Sequence, residues 1–178
     1  MKKTIFILLA GAVLLASCSR NKEYVIYGSV SNPDLEGAKV FLVPLENATK
    51  ETIDSVSIRN QMFEFRGIGE KMAEIRIEMS KGYGSENLLV VTEPGEAYVT
   101  IGPESSAKGT PQNDSLQVWK NLTEQYYDQL SILMRQKRNL EAMKLRDSYY
   151  SRSHQMALNV GVETALGRFL YSRFPESR

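Results

Sequence analysis

The sequence predicts an α+β protein: an antiparallel β-sandwich of about seven strands, then a helical hairpin and a short C-terminal helix. Three observations lead there. From Tyr24 to Gly102, short runs rich in β-branched and aromatic residues recur about every ten residues, separated by turn residues. Beyond Gly109-Thr110-Pro111 the apolar spacing changes to steps of three and four, the stripe of an amphipathic helix. No helical segment separates the early runs, so the crossover helices of parallel βαβ units are missing and antiparallel pairing is expected.

The first strand is Tyr24–Val30, closed by the turn Ser31-Asn32-Pro33-Asp34. Ala38–Val43 is dense in apolar residues and stops at Pro44. Thr52–Ile58 passes through Arg59-Asn60-Gln61 into Met62–Arg66, which reads as a hairpin with Phe63 and Phe65 on one face. Ala73–Met79 alternates, with Ile75, Ile77 and Met79 inward and Glu74, Arg76 and Glu78 outward. Leu88–Thr92 and Ala97–Ile101 flank the turn Glu93-Pro94-Gly95-Glu96. In the second half, Leu116, Trp119, Leu122, Tyr126, Leu130 and Leu133 form one stripe, with Asn113 or Asp114 as N-cap. Ala142, Leu145, Tyr149 and Met156 form another. One helix through both would exceed the usual 8–20 or so residues, so the chain is expected to turn near Arg138. Glu163–Phe174 is the third helix, ended by Pro175. The stripe of the first helix is expected to pack on the sandwich, because in water it would leave a large apolar patch.

Lys2 and Lys3 precede an apolar run from Ile5 to Leu15, too short for the about 20 residues of a membrane-spanning helix and fitting a signal-peptide core. Leu15-Ala16-Ser17-Cys18 looks like a lipobox. The expected organisation is a lipoprotein signal peptide over 1–17 and a tether over 18–23 lipidated at Cys18, with palmitate among the acyl groups. The sandwich follows over 24–112 and the helical region over 113–178. The expected location is the cell envelope, lipid-anchored to the outer membrane and facing the periplasm.

Cys18 is the sole cysteine, so the processed chain has no thiol for a disulfide and must rely on a packed core. Cleavage would remove Lys2 and Lys3, leaving 20 of the 22 basic residues against 21 acidic ones. A near-neutral chain lacks the basic field that nucleic-acid binding needs.

Several features resemble a domain of unknown function, family 4369, found in lipoproteins of Bacteroidota-type bacteria. They are Tyr27-Gly28-Ser29-Val30, Val40-Phe41-Leu42, Ile53-Asp54-Ser55-Val56, Phe63-Glu64-Phe65, the strand at Ala97–Ile101, and Gly109-Thr110 before the helices. Val162-Glu163-Thr164-Ala165-Leu166-Gly167-Arg168 looks like the connector that in many relatives leads to a thioredoxin-like (AhpC-TSA) thiol–disulfide oxidoreductase domain with a Cys-x-x-Cys site. This chain is expected to stop where that domain would begin. Its redox chemistry is therefore not carried over, because thiol–disulfide exchange requires a thiolate.

No catalytic, cofactor or metal residue is expected. His154 is the only histidine, too few for a zinc site, and reads as a surface residue. Asp54-Ser55 lacks a nearby base and a glycine-flanked elbow, so it reads as a polar strand pair with Asp54 bracing the adjacent turn. Within the resemblance, Asp54-Ser55-Val56 and Asp114-Ser115-Leu116 match an O-glycosylation acceptor pattern, at Ser55 and Ser115. Gly82-Tyr83-Gly84 lacks the third glycine of a dinucleotide fingerprint and reads as a turn. Arg135, Lys137 and Arg138 are expected to solvate the hairpin turn. Trp119, Tyr126, Tyr127, Tyr149 and Tyr150 read as core rather than as a carbohydrate or peptide groove. The leading expectation is a non-catalytic binding or interaction module, its partners the membrane through the lipid and an envelope protein or thioredoxin-like protein. The alternatives are an accessory or truncated part of a thiol–disulfide oxidoreductase system and, third, a hydrolase of envelope polymers.

Overall fold

The computed structural model describes residues 22–77 and 87–176. The signal segment 1–17, Cys18 and the tether up to Asn21, the end of the fifth expected strand at Glu78 and Met79, and Gly82-Tyr83-Gly84 lie outside the described residues.

The described strands are β1 (Glu23–Val30), β2 (Lys39–Pro44), β3 (Asp54–Ser57), β4 (Met62–Ile68), β5 (Lys71–Ile77), β6 (Asn87–Thr92), β7 (Gly95–Ile101) and β8 (Ser106–Lys108). The helices are α1 (Pro111–Arg135), α2 (Asn139–Val160) and α3 (Ala165–Arg173). Two four-stranded sheets form the sandwich, one ordered β4-β1-β7-β8 and the other β3-β2-β5-β6. The α+β class and the sandwich with its helical tail stand as the pattern indicates.

β4 shows the alternation plainly: Phe63 and Phe65 are buried while Met62, Glu64 and Arg66 face solvent. Between the sheets lie Ile26, Val40, Phe65, Ile75, Val90 and Val99. A second core lies under the helices, where Met72 and Val91 meet Leu116, Trp119, Leu122, Tyr149, Leu166 and Leu170. Met72 and Val91 are register partners, as are Ala73 and Val90 one step away. The first pair faces the helices and the second the sandwich. Being covered on both faces explains why β6 reads as a continuous apolar run.

Four details differ from the sequence reading. β1 and β7 pair in parallel, from Tyr24 opposite Gly95 to Val30 opposite Ile101. The intervening chain supplies the crossover through the other sheet, so no crossover helix is needed. Asn60 and Gln61, both at positive φ, make a tight turn between Arg59 and Met62, but β3 and β4 then part into different sheets. That segment is a sheet-to-sheet corner rather than a two-stranded hairpin; the Glu36 carboxylate accepts both exposed turn N–H groups, at 3.0 Å each. β8 is an additional strand, too short and polar to show a pattern. Finally, α1 begins earlier than expected, with Thr110 at the N-cap and Pro111 in the first turn, where its fixed φ suits a helix start.

Gly28 has a packing reason. It lies opposite Phe63 in the β1–β4 register, and a Cβ there would overlap the Phe63 ring. The missing side chain makes room for an aromatic ring to lie across the strand.

Candidate functional site

The helices are fastened to the sheets by a buried polar knot. Thr110 makes no side-chain cap, so the α1 N-terminus is served from outside. Glu93, in the β6–β7 turn, accepts from the Gln112 N–H at 2.7 Å and the Asn113 N–H at 3.2 Å through one carboxylate oxygen. Its other oxygen accepts from Gln112 Nε2 at 3.2 Å. A carboxylate at a helix N-terminus is favoured by both hydrogen bonding and the helix dipole. Asn113, proposed from sequence as a cap, is fully buried. Its side chain imitates a strand neighbour, accepting from Val91 N at 2.9 Å and donating to Val91 O at 2.8 Å. Asp114 accepts from Gly109 N at 2.9 Å, just ahead of the helix.

The same knot starts α3. Gln112 Oε1 accepts from Leu166 N at 2.9 Å, Glu70 accepts from Ala165 N at 2.7 Å, and Thr164 caps Gly167 N at 3.0 Å. A Cβ on Gly167 would overlap the Gly161 carbonyl, so glycine lets α3 close tightly on the turn from α2.

A cleft of about 490 Å³ opens beside the knot, between the start of α1 and the end of α2, with Glu93, Gln112, Ser115, Met156 and Asn159 among its walls. Ser115 Oγ donates to Pro111 O at 2.9 Å, and the Glu93 oxygens are taken by amide donors. Among the described residues the lining holds no histidine, cysteine or lysine, and its one carboxylate, Glu93, accepts from amide donors rather than from Ser115. The cleft can offer apolar contact and amide hydrogen bonds.

The far end of the hairpin is different. Past Tyr126 on α1 and before Tyr149 on α2, only Ala142 is buried. Leu140 is 65% exposed, Met134 56% and Met143 53%, with Tyr127 and Ile132 exposed beside them. Arg138 pairs with Glu141 at the turn, while Arg135 bonds Ser131 within its own helix. The basic cluster therefore caps an apolar arm.

The other residues singled out from sequence are dispersed. Trp119 and Tyr149 are core: Trp119 Nε1 donates to the buried Ser153 hydroxyl at 3.2 Å, and Tyr149 stacks on Tyr126 with centroids 4.3 Å apart. Tyr127 and Tyr150 are exposed, correcting the expectation that all five aromatics are core. The stripe of α1 is buried only as far as Leu122, with Tyr126 partly so; Leu130 and Leu133 are half-buried beyond it. His154 is half-buried, not a free surface residue, and its Nδ1 donates to the Phe174 carbonyl at 2.8 Å, fixing the end of α3. Ser55 is exposed on β3, and Ser115 lies within α1. Asp54 accepts from Ser55 N at 2.7 Å; the preceding turn is braced instead by Thr52, whose hydroxyl accepts from Thr49 N at 2.7 Å. Sequence reasoning missed Glu93 and Gln112, since a lone acidic turn residue announces no partner. It also missed Lys120, whose Nζ is buried without a hydrogen-bond partner among the described residues; burial lowers its pKa to about 8.

Among the described residues, no helix is long and apolar enough to cross a membrane, and no cluster of three or more His, Cys, Asp or Glu could hold a metal ion. The model of a family described as a domain of unknown function, DUF4369, matches residues 24–116. No curated protein and no solved structure matches the chain.

Proposed function

The chain belongs to the DUF4369 family, and from that premise we propose that it is a lipid-anchored envelope protein acting as a non-catalytic interaction module, with the outer half of the α1–α2 hairpin as its contact surface. The observation that carries this reading is the exposure of Met134, Leu140 and Met143 together at the end of an arm. Contiguous apolar surface of this kind marks interaction sites more often than chance exposure does. Methionine suits such a surface, because its unbranched side chain adapts to a partner. The partner that fits is an envelope protein offering an apolar groove with an acidic rim, facing Arg135 and Lys137. With a single cysteine, the chain cannot itself cycle a dithiol and a disulfide; a thioredoxin-like partner would have to bring that chemistry.

The lipid anchor rests on the Leu15-Ala16-Ser17-Cys18 pattern. Fatty-acid labelling of cells should mark the wild type and not Cys18→Ser; equal labelling removes the anchor from the proposal. For the arm, a photo-crosslinking residue placed at Leu140 should give one discrete adduct in cells, lost when Met134 and Met143 are changed to serine. The same probe at exposed Ser29 on the opposite sheet should give none. Equal adducts from both positions would end the arm reading.

A further inference from the structure

Beside the second sheet, where α3 crosses it, lies a smaller cleft of about 130 Å³. Lys71, Arg168 and Arg173 line it, against one carboxylate, Glu46. Among the described residues none of these four side chains takes part in an ion pair, although four other pairs form on the surface. Three cations gathered without carboxylate partners repel one another, and an anion would relieve that.

The two guanidinium groups are also held in place. Arg168 Nη1 donates to Glu163 O. Arg173 Nη1 donates to Phe169 O at 3.3 Å, and its guanidinium carbon stands 3.8 Å above the Phe169 ring. A guanidinium has five N–H donors in a planar fork, so each retains donors beyond the one that anchors it. Fixing the fork in advance lowers the entropy lost when it grips an oxyanion. The α3 backbone amides do not contribute: those of Ala165, Leu166 and Gly167 are already bonded to Glu70, Gln112 and Thr164. The Glu70 carboxylate faces that helix start.

We propose that this cleft binds a phosphate group, held between the Arg168 and Arg173 forks with Lys71 adding charge. Paired guanidinium forks match the spacing of phosphate oxygens, and charge-assisted bonds of this type are about twice as strong as neutral ones. The group has two sources, free phosphate or the headgroup of an anionic lipid. The second follows from position and rests on the lipid-anchor reading above. Ile68 is the register partner of Glu23, where the described chain leaves the N-terminal segment, and Lys71 is three residues further on. A lipid on Cys18 would be five residues from Glu23, at most about 17 Å of extended chain. The cleft would then lie within reach of the bilayer.

Titration of the purified full chain with inorganic phosphate, followed by calorimetry at low salt, tests the site. Saturable binding is expected, at least about tenfold weaker in Arg168→Gln and in Arg173→Gln. Both positions are exposed, so their unfolding midpoints should stay at the wild-type value. In a second arm the same proteins are spun down with vesicles of phosphatidylcholine, with and without phosphatidylglycerol. Recruitment that rises with phosphatidylglycerol and falls in both variants assigns the lipid headgroup; phosphate binding without that rise assigns free phosphate. Unsaturable binding, or equal affinity in wild type and variants, overturns the site. Cys18→Ser separates the two readings: it should lose the fatty-acid label and keep its phosphate affinity, whereas an undiminished label with affinity lost in the arginine variants removes the anchor and leaves the cleft standing.

Discussion

The inner and outer halves of the α1–α2 hairpin share one pattern of apolar spacing but have opposite fates. Leu116, Trp119 and Leu122 are sealed against Met72, Val91 and α3, while further along the same stripe Tyr126, Leu130 and Leu133 are only half-buried, and Ile132, Met134, Leu140 and Met143 around them face water. Length accounts for the difference. A helix of 25 residues is about 37 Å long, whereas a strand of seven residues covers only about 23 Å. Four strands side by side are narrower still, so in any orientation the helix outruns the sheet beneath it. Periodicity reports which face of a helix is apolar; the size of the neighbouring layer decides how much of that face is covered.

The largest expected effect breaks the inner half. Leu122→Ala should cost about 2–5 kcal/mol in urea unfolding and keep a single transition, because its side chain belongs to the core that joins helices to sheet. Leu140→Ala in the outer half should change stability by less than about 0.5 kcal/mol. Equal losses would erase the distinction, and two transitions for Leu122→Ala would show the helices folding apart from the sandwich.

A smaller effect sharpens where the inner half is fastened. Glu93→Gln keeps the shape but turns one acceptor into a donor facing donors, and should cost about 1–3 kcal/mol by the same measurement. A neutral result would mean that packing alone positions α1.

A further, modest effect has the opposite sign. The Lys120 Nζ on α1 is buried without a hydrogen-bond partner among the described residues, and its folded-state pKa of about 8 lies below the ordinary 10.5. Between those two values the unfolded chain holds more protons than the folded one, so stability should rise with pH across that window. Below pH 8 both states are protonated, and the full cost of burying the charge is present. Lys120→Met should therefore stabilise the protein at pH 7, by about 1 kcal/mol once partial solvent screening is allowed for, and abolish the rise above pH 8. A loss of stability at pH 7 would mean that the ammonium group has a partner.

Local patterns made most of the fold legible. Phe63 and Phe65 announced β4, Ile75 and Ile77 announced β5, and the break at Pro111 announced the helices. Pairings remote in sequence stayed hidden: nothing in Tyr24–Val30 names β7 as a parallel neighbour, and nothing in Asn60-Gln61 shows that the chain leaves one sheet there for the other. The knot was hidden for the same reason, since Glu93 and Gln112 act on backbone groups far along the chain. His154 looked free because its partner is a carbonyl, which any residue could supply.

The parallel pairing of β1 and β7 keeps one offset throughout: Tyr24 meets Gly95 and Val30 meets Ile101, always 71 positions apart. A chain made from its N-terminus releases β1 first, yet that strand waits for β4 on one side and for β7 on the other. Its exposed edge stays open to mispairing until Ile101 has emerged, and contacts this distant in sequence form slowly. Whatever accompanies the nascent chain must shield β1 longest, so the segment made earliest is among the last to reach its final neighbours.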